Sequence, residues 1–236
     1  MSRALIIRSI PLSSTTRNAW KANGAVFSRR ERTYTREIEA IAGGRPIINL
    51  GNSSMDIEGS WNNAPVVRPL LTPIGTRELM PHLLPTNEWA GEGYYWLKGQ
   101  GRGGANKEKV YVTNKASHDV MLDRANWMKG DVQQNIGGTE YRAITVGTKV
   151  VQGMKRIDTG GDREYEWTGS SGLPRNIRML AKKAAEMMGD EKTIIGWDLI
   201  DSDEGAFVLE GNSCPGVNEA TAARILDAVE GVRYAA

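Results

Sequence analysis

The sequence predicts an α+β protein, in which paired strands and helices alternate along the chain. Two strand pairs support this prediction: residues 140–146 with 149–157, and residues 194–200 with 206–210, each joined by turn-forming residues. Apolar residues recur at helical spacing over residues 174–188, which predicts a long helix between the two hairpins. No run of strand–helix–strand crossovers is visible, and this favours α+β over a parallel α/β sheet.

The N-terminal third predicts a small α/β region. Residues 4–7 and 46–50 are short apolar runs that predict strands, and residues 35–41 predict a helix that ends before a pair of glycines. Residues 51–73 are rich in Asn, Ser, Gly and Pro and predict a long loop, followed by a short helix over 75–82.

The middle of the chain predicts a further group of strands. Residues 94–98 and 109–113 read as strands on either side of the glycine-rich segment GQGRGG, and residues 131–136 as an extended run. Residues 163–172, REYEWTGSSG, are expected to be a mobile loop, and residues 219–229 a final amphipathic helix.

Composition excludes several classes of protein. The 236 residues are 40% hydrophobic and 25% charged with a formal net charge of +2, which is typical of a globular domain and gives no reason to expect nucleic acid as a partner. One cysteine rules out an internal disulfide, and no apolar run approaches the roughly 18 residues of a membrane helix. We expect a cytoplasmic protein with no membrane partner.

The C-terminal hairpin carries two acids among its apolar residues. Its turn is expected to be centred near Asp203 or Glu204. If the centre is Glu204, Asp198 lies opposite Glu210, and Asn212 shares their face because side chains alternate along a strand. Facing carboxylates need a proton or a cation, and three oxygen ligands suit magnesium. The same parity predicts that the apolar residues Trp197, Leu199, Phe207 and Leu209 face the core, and it is equally compatible with a solvated acidic face.

Cationic and glycine-rich segments add candidates for phosphate binding. Lys98 ends a strand just before GQGRGG, whose backbone N–H groups could approach phosphate oxygens. Lys155 and Arg156 end another strand and could neutralise a polyphosphate. The alternatives are a plain turn and a solvated strand end; the spacing does not fit a P-loop. His82 and His118 are expected to be solvated.

Taken in order, these motifs resemble the ATP-grasp superfamily, and most closely its RimK-type carboxylate–amine ligases. DVQQNIGGTEYRAITVGTKVVQGMKR is similar to the hinge and following hairpin of that group, and GWDLI with VLEGNSCPG to its metal-binding motifs. The resemblance implies an ATP-grasp fold with ATP held between two α+β lobes. The short N-terminal region also resembles small bacteriophage members.

The resemblance implies a role for each matching residue. Asp198, Glu210 and Asn212 would bind one or two magnesium ions, for which manganese could substitute. The residues implied to bind ATP are Lys98, Gly101, Gly103, Gly104, Gln133, Gln134, Asn135, Ile136, Glu140 and Lys155. Arg142 and Arg156 would be catalytic, steadying the transferred phosphoryl group and the tetrahedral intermediate.

The implied reaction is ATP-dependent amide formation. ATP would phosphorylate a carboxylate substrate, and an amine substrate would attack the acyl phosphate. The implied organisation is a reduced N-terminal region, 1–85, and an ATP-grasp domain, 86–236, with a lid lobe over about 90–132 and a C-terminal lobe over about 133–236. A kinase acting on a hydroxyl, a non-catalytic nucleotide- or nucleic-acid-binding module, and a homo-oligomeric state all remain open.

Overall fold

A computed structural model of the protein describes residues 4–7, 13–28, 47–49, 79, 89–99, 107–158, 163–188, 193–212 and 215–234. These residues form three separate sheets, whose strands lie in the spatial orders 25–28, 4–7, 47–49; then 107–112, 93–98, 131–134; and then 205–212, 194–202, 139–146, 149–158, 163–167. The last two sheets are antiparallel and helices pack against them, so the α+β prediction is confirmed.

The N-terminal sheet is parallel and small. It consists of β1 (Ala4–Ile7), β2 (Ala25–Ser28) and β3 (Ile47–Asn49), with helix α1 (Ser14–Ala22) between the first two strands. Strands β1 and β3 were predicted, whereas α1 and β2 were not. The predicted helix 35–41, the loop 51–73 and all but Leu79 of the helix 75–82 lie outside the described residues.

The second sheet is a three-stranded antiparallel layer covered by one helix. It contains β4 (Gly93–Lys98), β5 (Lys107–Val112) and β6 (Asp131–Gln134), and helix α2 (Lys115–Trp127) packs on it. The predicted boundary between lobes, at residues 132 and 133, falls inside β6, which pairs with β4 up to Gln134. The buried residues of this layer are Tyr95, Leu97, Val112, Met121, Ala125 and Val132.

Helix α2 was not predicted, because few apolar residues mark its buried face. Its start is nevertheless well defined: Asn114 and Ser117 form a reciprocal capping box, each side chain accepting from the other residue's backbone N–H. His118 on this helix is buried edge-on against the Tyr95 ring, with 5.3 Å between ring centroids. The expectation of a solvated His118 is therefore wrong.

The third sheet positions most of the candidate site. Its strands are β7 (Thr139–Val146), β8 (Lys149–Asp158), β9 (Arg163–Trp167), β10 (Ile194–Ser202) and β11 (Gly205–Asn212). Helix α3 (Arg175–Glu186) packs on one face, while α4 (Glu219–Tyr234) and α1 contribute to the core on the other. Both predicted hairpins and both predicted C-terminal helices are confirmed.

Strand β9 corrects the prediction of a loop over residues 163–172. Arg163–Trp167 pairs with β8 along its whole length, and only the residues after it turn, through a short 3-10 helix at Ser170–Gly172. Gly153 in β8 has no room for a Cβ atom, because the Gly169 carbonyl and the Leu173 side chain pack against it. The chain after β9 is therefore held against the sheet.

Each of the two predicted hairpins, β7–β8 and β10–β11, contains one register shift. From Ser202↔Gly205 to Leu199↔Val208 the pairing follows a two-residue turn at Asp203 and Glu204, which would place Asp198 opposite Leu209. A β-bulge between Asp198 and Leu199 shifts the register by one residue, so that Asp198 pairs with Glu210. The turn is centred between Asp203 and Glu204, as expected, and the predicted pairing of Asp198 with Glu210 is confirmed but requires the bulge.

The two-residue turn also decides which apolar residues of the hairpin reach the core, because it pairs Leu199 with Val208. Trp197 and Leu199 are fully buried beneath α3, as predicted, together with Val208. Phe207 and Leu209 are only partly buried, and Val208 takes the place predicted for them. The Trp197 indole donates a hydrogen bond of 2.9 Å to Thr145 Oγ1, which satisfies the polar atom of this core tryptophan.

Among the described residues, none of the helices has the length and apolar character that crossing a membrane requires.

Candidate active site

A row of charged side chains crosses one face of the five-stranded sheet. Asp198 in β10 lies directly opposite Arg142 in β7 on one side and Glu210 in β11 on the other. Directly opposed residues on antiparallel strands have Cβ atoms about 4.5–5.5 Å apart, so the three side chains form one continuous group. Elsewhere on this face the sheet is covered by the apolar core that α4 and α1 share with it.

Arg142 and Asp198 form a two-pronged ion pair. The guanidinium donates from Nε to Asp198 Oδ1 at 2.6 Å and from Nη2 to Oδ2 at 2.7 Å, and the side chains are only 25% and 19% exposed. Burial lowers the pKa of Arg142, but the hydrogen bonds and charge of Asp198, with smaller contributions from Tyr165 and Glu210, outweigh burial and raise that pKa. Arg142 is therefore a permanent cation beside the two carboxylates.

Asn212 completes the acidic end of the row. It pairs with Gly196, and its Nδ2 donates long hydrogen bonds of 3.4 Å to the Gly196 carbonyl and to Asp198 Oδ2. The amide oxygen is the other polar atom of this side chain, and an oxygen of this kind can accept hydrogen bonds or bind a cation. Two carboxylates and one amide oxygen are the hard ligands that magnesium takes.

The donor set fits a magnesium ion that completes its shell with water and phosphate oxygens. Within the described ranges, no group of three or more His, Cys, Asp or Glu side chains could hold a metal ion by itself. A site here therefore depends on the Asn212 amide as its third protein ligand, alongside Asp198 and Glu210. Magnesium commonly binds through few protein carboxylates and several waters or phosphates, so this sparse set suits it.

A second ion pair lies on neighbouring strands. Arg156 in β8 contacts Glu140 in β7, with 2.5 Å between Nη1 and Oε2. The Tyr165 ring from β9 lies beside both arginines: Tyr165 pairs with Arg156 in register, and its centroid is 5.1 Å from Arg142 Cζ. The sheet thus brings together Glu140, Arg142, Arg156, Asp198, Glu210 and Asn212.

The three-stranded sheet brings together a second group of predicted residues. Lys98 lies opposite Asp131 and Trp96 opposite Gln133, so these four side chains share the face turned away from α2. Gln133 is buried, and its amide nitrogen donates to Asp131 Oδ1 at 3.3 Å. Trp96 Nε1 donates to Asn135 Oδ1 at 3.0 Å, which ties the segment after β6 to the sheet.

The remaining predicted residues do not join either of these two groups, or they lie outside the described residues. Gln134 pairs with Tyr95, Ile136 is half-buried in the link to β7, and Gly101, Gly103 and Gly104 lie outside the described residues. Lys155 is exposed and lies opposite Tyr141, on the face that α3 covers and away from Arg156. The sheet therefore does not bring Lys155 to the charged row, and its predicted contact with ATP remains a prediction.

Sequence reasoning missed two aromatic residues of these groups. Tyr165 escaped notice because residues 163–172 were interpreted as a loop, although the alternation of Arg163, Tyr165 and Trp167 with two glutamates is the period of a strand. Trp96 was treated only as part of a strand, yet its indole N–H contacts the predicted adenine-binding segment. The two-residue spacing from Trp96 to Lys98 already placed both on one face.

Solved structures of other proteins share this fold. PsnB, an ATP-grasp ligase solved with a precursor variant, Mg and ADP, aligns with a TM-score of 0.53 at 12% identity over 98% of each chain. D-alanine–D-alanine ligase from Bacillus anthracis, complexed with ATP, aligns with a TM-score of 0.53 at 14% identity over 99% of this chain and 98% of that one. The protein has the ATP-grasp fold.

The sequence relatives are more specific. A family model for the RimK-like ATP-grasp domain matches residues 115–230. A probable alpha-L-glutamate ligase 2 of Hahella chejuensis is 36% identical over 115 residues, which are 44% of this chain and 37% of that protein. A probable alpha-L-glutamate ligase of Saccharophagus degradans is 31% identical over 134 residues, 50% of this chain and 44% of that protein. The alignments thus cover less than half of these relatives.

Proposed function

We propose that the protein is an ATP- and magnesium-dependent carboxylate–amine ligase that forms an amide through an acyl phosphate. Arg142, Asp198 and Glu210 form a row across three strands on one face of the sheet, with Asn212 beside it, and this row supports the proposal. Phosphoryl transfer requires carboxylates that can bind a metal cation and arginines that can stabilise negative charge on the phosphoryl oxygens. The ligase names of the aligned relatives support the same reaction.

The site residues would have separate roles in binding metal, stabilising charge and binding the nucleotide. Asp198, Glu210 and Asn212 would hold one or two magnesium ions, whose chemistry is to neutralise the phosphates. Arg142 and Arg156 would stabilise charge on the transferred phosphoryl group and on the tetrahedral intermediate. Lys98, with the glycines after it, would contact the phosphates, and residues 133–136 with Glu140 would bind the nucleoside. Lys155 would contact the phosphates only from the periphery of the site.

The two lobes would enclose the nucleotide, with the three-stranded sheet and α2 as the lid and the five-stranded sheet as the floor. Enclosure matters because an acyl phosphate is hydrolysed by water unless the site excludes it. The names of the aligned relatives suggest L-glutamate as the first amine to test. We place the reaction in the cytoplasm, where ATP and magnesium are available.

The test is ADP release that depends on both substrates. The protein is incubated with ATP, magnesium, L-glutamate and a panel of carboxylates, and products are identified by mass. We expect an amide-linked product whose formation is lost in Asp198→Ala and Glu210→Ala but kept in Asp203→Ala, which removes an exposed acid from the turn of the same hairpin. A phosphoester product would instead identify a kinase, and full turnover in Asp198→Ala would refute the metal assignment.

A further inference from the structure

The facing carboxylates of Asp198 and Glu210 already have a cation beside them. Both oxygens of Asp198 accept hydrogen bonds from Arg142, at 2.6 and 2.7 Å, and the Glu210 charge also acts on that guanidinium. Opposed carboxylates require a compensating positive charge, and here Arg142 supplies it. The place on Asp198 that a divalent cation would use is therefore held by a side chain of the protein itself.

We propose that Arg142 is a positioning residue that holds Asp198 in the nucleotide-free protein and exchanges it for the divalent cation that arrives with ATP. Metal entry would then also release the Arg142 guanidinium to reach the phosphoryl group. The inference rests on the proposed function, since it assumes that Asp198 is a metal ligand. The inference adds a coupling between two binding events: the divalent cation binds to Asp198 only when it arrives with a nucleotide.

The geometry explains why a free ion would bind poorly. A two-pronged arginine–carboxylate pair is among the strongest side-chain interactions, and this one is largely withdrawn from water. Magnesium gives up its waters reluctantly and gains most from phosphate oxygens. An ion without nucleotide must break the pair in return for few ligands, whereas an ion carried by a triphosphate brings its own ligands and gives Arg142 a new anionic partner.

The Tyr165 ring supports the Arg142 guanidinium while Arg142 changes its anionic partner. Its ring packs at 5.1 Å from Arg142 Cζ, and Asn212 Nδ2 remains within 3.4 Å of Asp198 Oδ2. The aromatic face supports the guanidinium whichever anion it pairs with, because the attraction of a cation to a ring does not depend on Asp198. A change of partner by Arg142 therefore requires no rearrangement of the strands.

The experiment measures Mn²⁺ binding to the nucleotide-free protein, by the paramagnetic resonance signal of free Mn²⁺. We expect Arg142→Met, which keeps a side chain of similar length without charge, to bind Mn²⁺ at least about tenfold more tightly than the unmodified protein. The matched control is Arg156→Met, which removes the same charge from the same face but does not contact Asp198; we expect a change below about threefold. Adding Asp198→Asn to Arg142→Met should remove the gain.

Each outcome decides the inference. Equal Mn²⁺ affinity in Arg142→Met and Arg156→Met, or a gain that survives Asp198→Asn, would overturn it while leaving the ligase proposal intact. Absence of Mn²⁺ binding even with ATP would overturn both. If Arg142→Met does not fold, as judged by circular dichroism, Arg142→Lys replaces it: a single ammonium cannot form the two-pronged pair, so an intermediate gain is expected, and no gain refutes the exchange.

Discussion

Gly196 provides a sensitive test of how the hairpin positions the acidic end of the site. Gly196 pairs with Asn212, and a Cβ added to it would lie 2.7 Å from Pro215 Cβ, 3.5 Å from its Cγ and 3.7 Å from its Cα. Non-bonded carbon atoms pack at about 3.5–4.0 Å, so in Gly196→Ala the Pro215 ring must move by roughly 0.8 Å or more. The ring is rigid and buried, and it cannot turn aside as a flexible side chain could.

The movement has two measurable consequences. Overpacking of this size destabilises a core by about 1–3 kcal/mol, which urea unfolding followed by tryptophan fluorescence would report. Pro215 lies three residues after Asn212, so its displacement also shifts the proposed amide ligand. We expect Mn²⁺ affinity in the presence of ATP to fall about tenfold or more, the usual effect of disturbing the support of a ligand.

Gly231→Ala is the matched control. Gly231 lies in α4, where an added Cβ would meet no atom within 4 Å, so the same chemical change adds no clash there. Alanine in a helix is more stable than glycine by about 0.5–1 kcal/mol, and we expect a neutral or stabilised variant with unchanged Mn²⁺ affinity. If Gly196→Ala matched this control in both stability and Mn²⁺ affinity, the reasoning from the Pro215 contact would be refuted.

Two further predictions concern stability. Asp198→Asn should lower the free energy of unfolding by about 1–3 kcal/mol, because the partly buried Arg142 loses its charged partner. Glu210→Gln should lower it by at least about 1 kcal/mol less, because this change relieves repulsion between facing acids. Urea unfolding of both variants checks this order of stabilities, and the reverse order would contradict it. Thr145→Val should cost about 1–3 kcal/mol by leaving the buried Trp197 indole N–H without its acceptor, whereas Thr148→Val in the exposed β7–β8 turn should cost less; equal losses would count against a role for the indole hydrogen bond.

Local sequence patterns were sufficient for the regular parts of the fold. Two hairpins of the five-stranded sheet, β7–β8 and β10–β11, and the helices α3 and α4 were predicted, because strand alternation, turn residues and helical periodicity are properties of neighbouring residues. Helix α2 escaped prediction because its buried face carries few apolar residues. Strand β9 was interpreted as a loop because an edge strand with two outward-facing glutamates lacks a strong apolar signal.

For the site, residue spacing allowed Asp198, Glu210 and Asn212 to share one strand face, and it placed Arg142 and Arg156 within two predicted strands. Their meeting at one site depends on the pairing of strands that are distant in sequence. The two-residue turn alone would have placed Asp198 opposite Leu209, and the bulge beside Leu199 restores Glu210 as its partner. The contact between Arg142 and Asp198 joins residues 56 positions apart. Such a pairing depends on strand order and on a one-residue register shift, and the local periodicity of the sequence specifies neither.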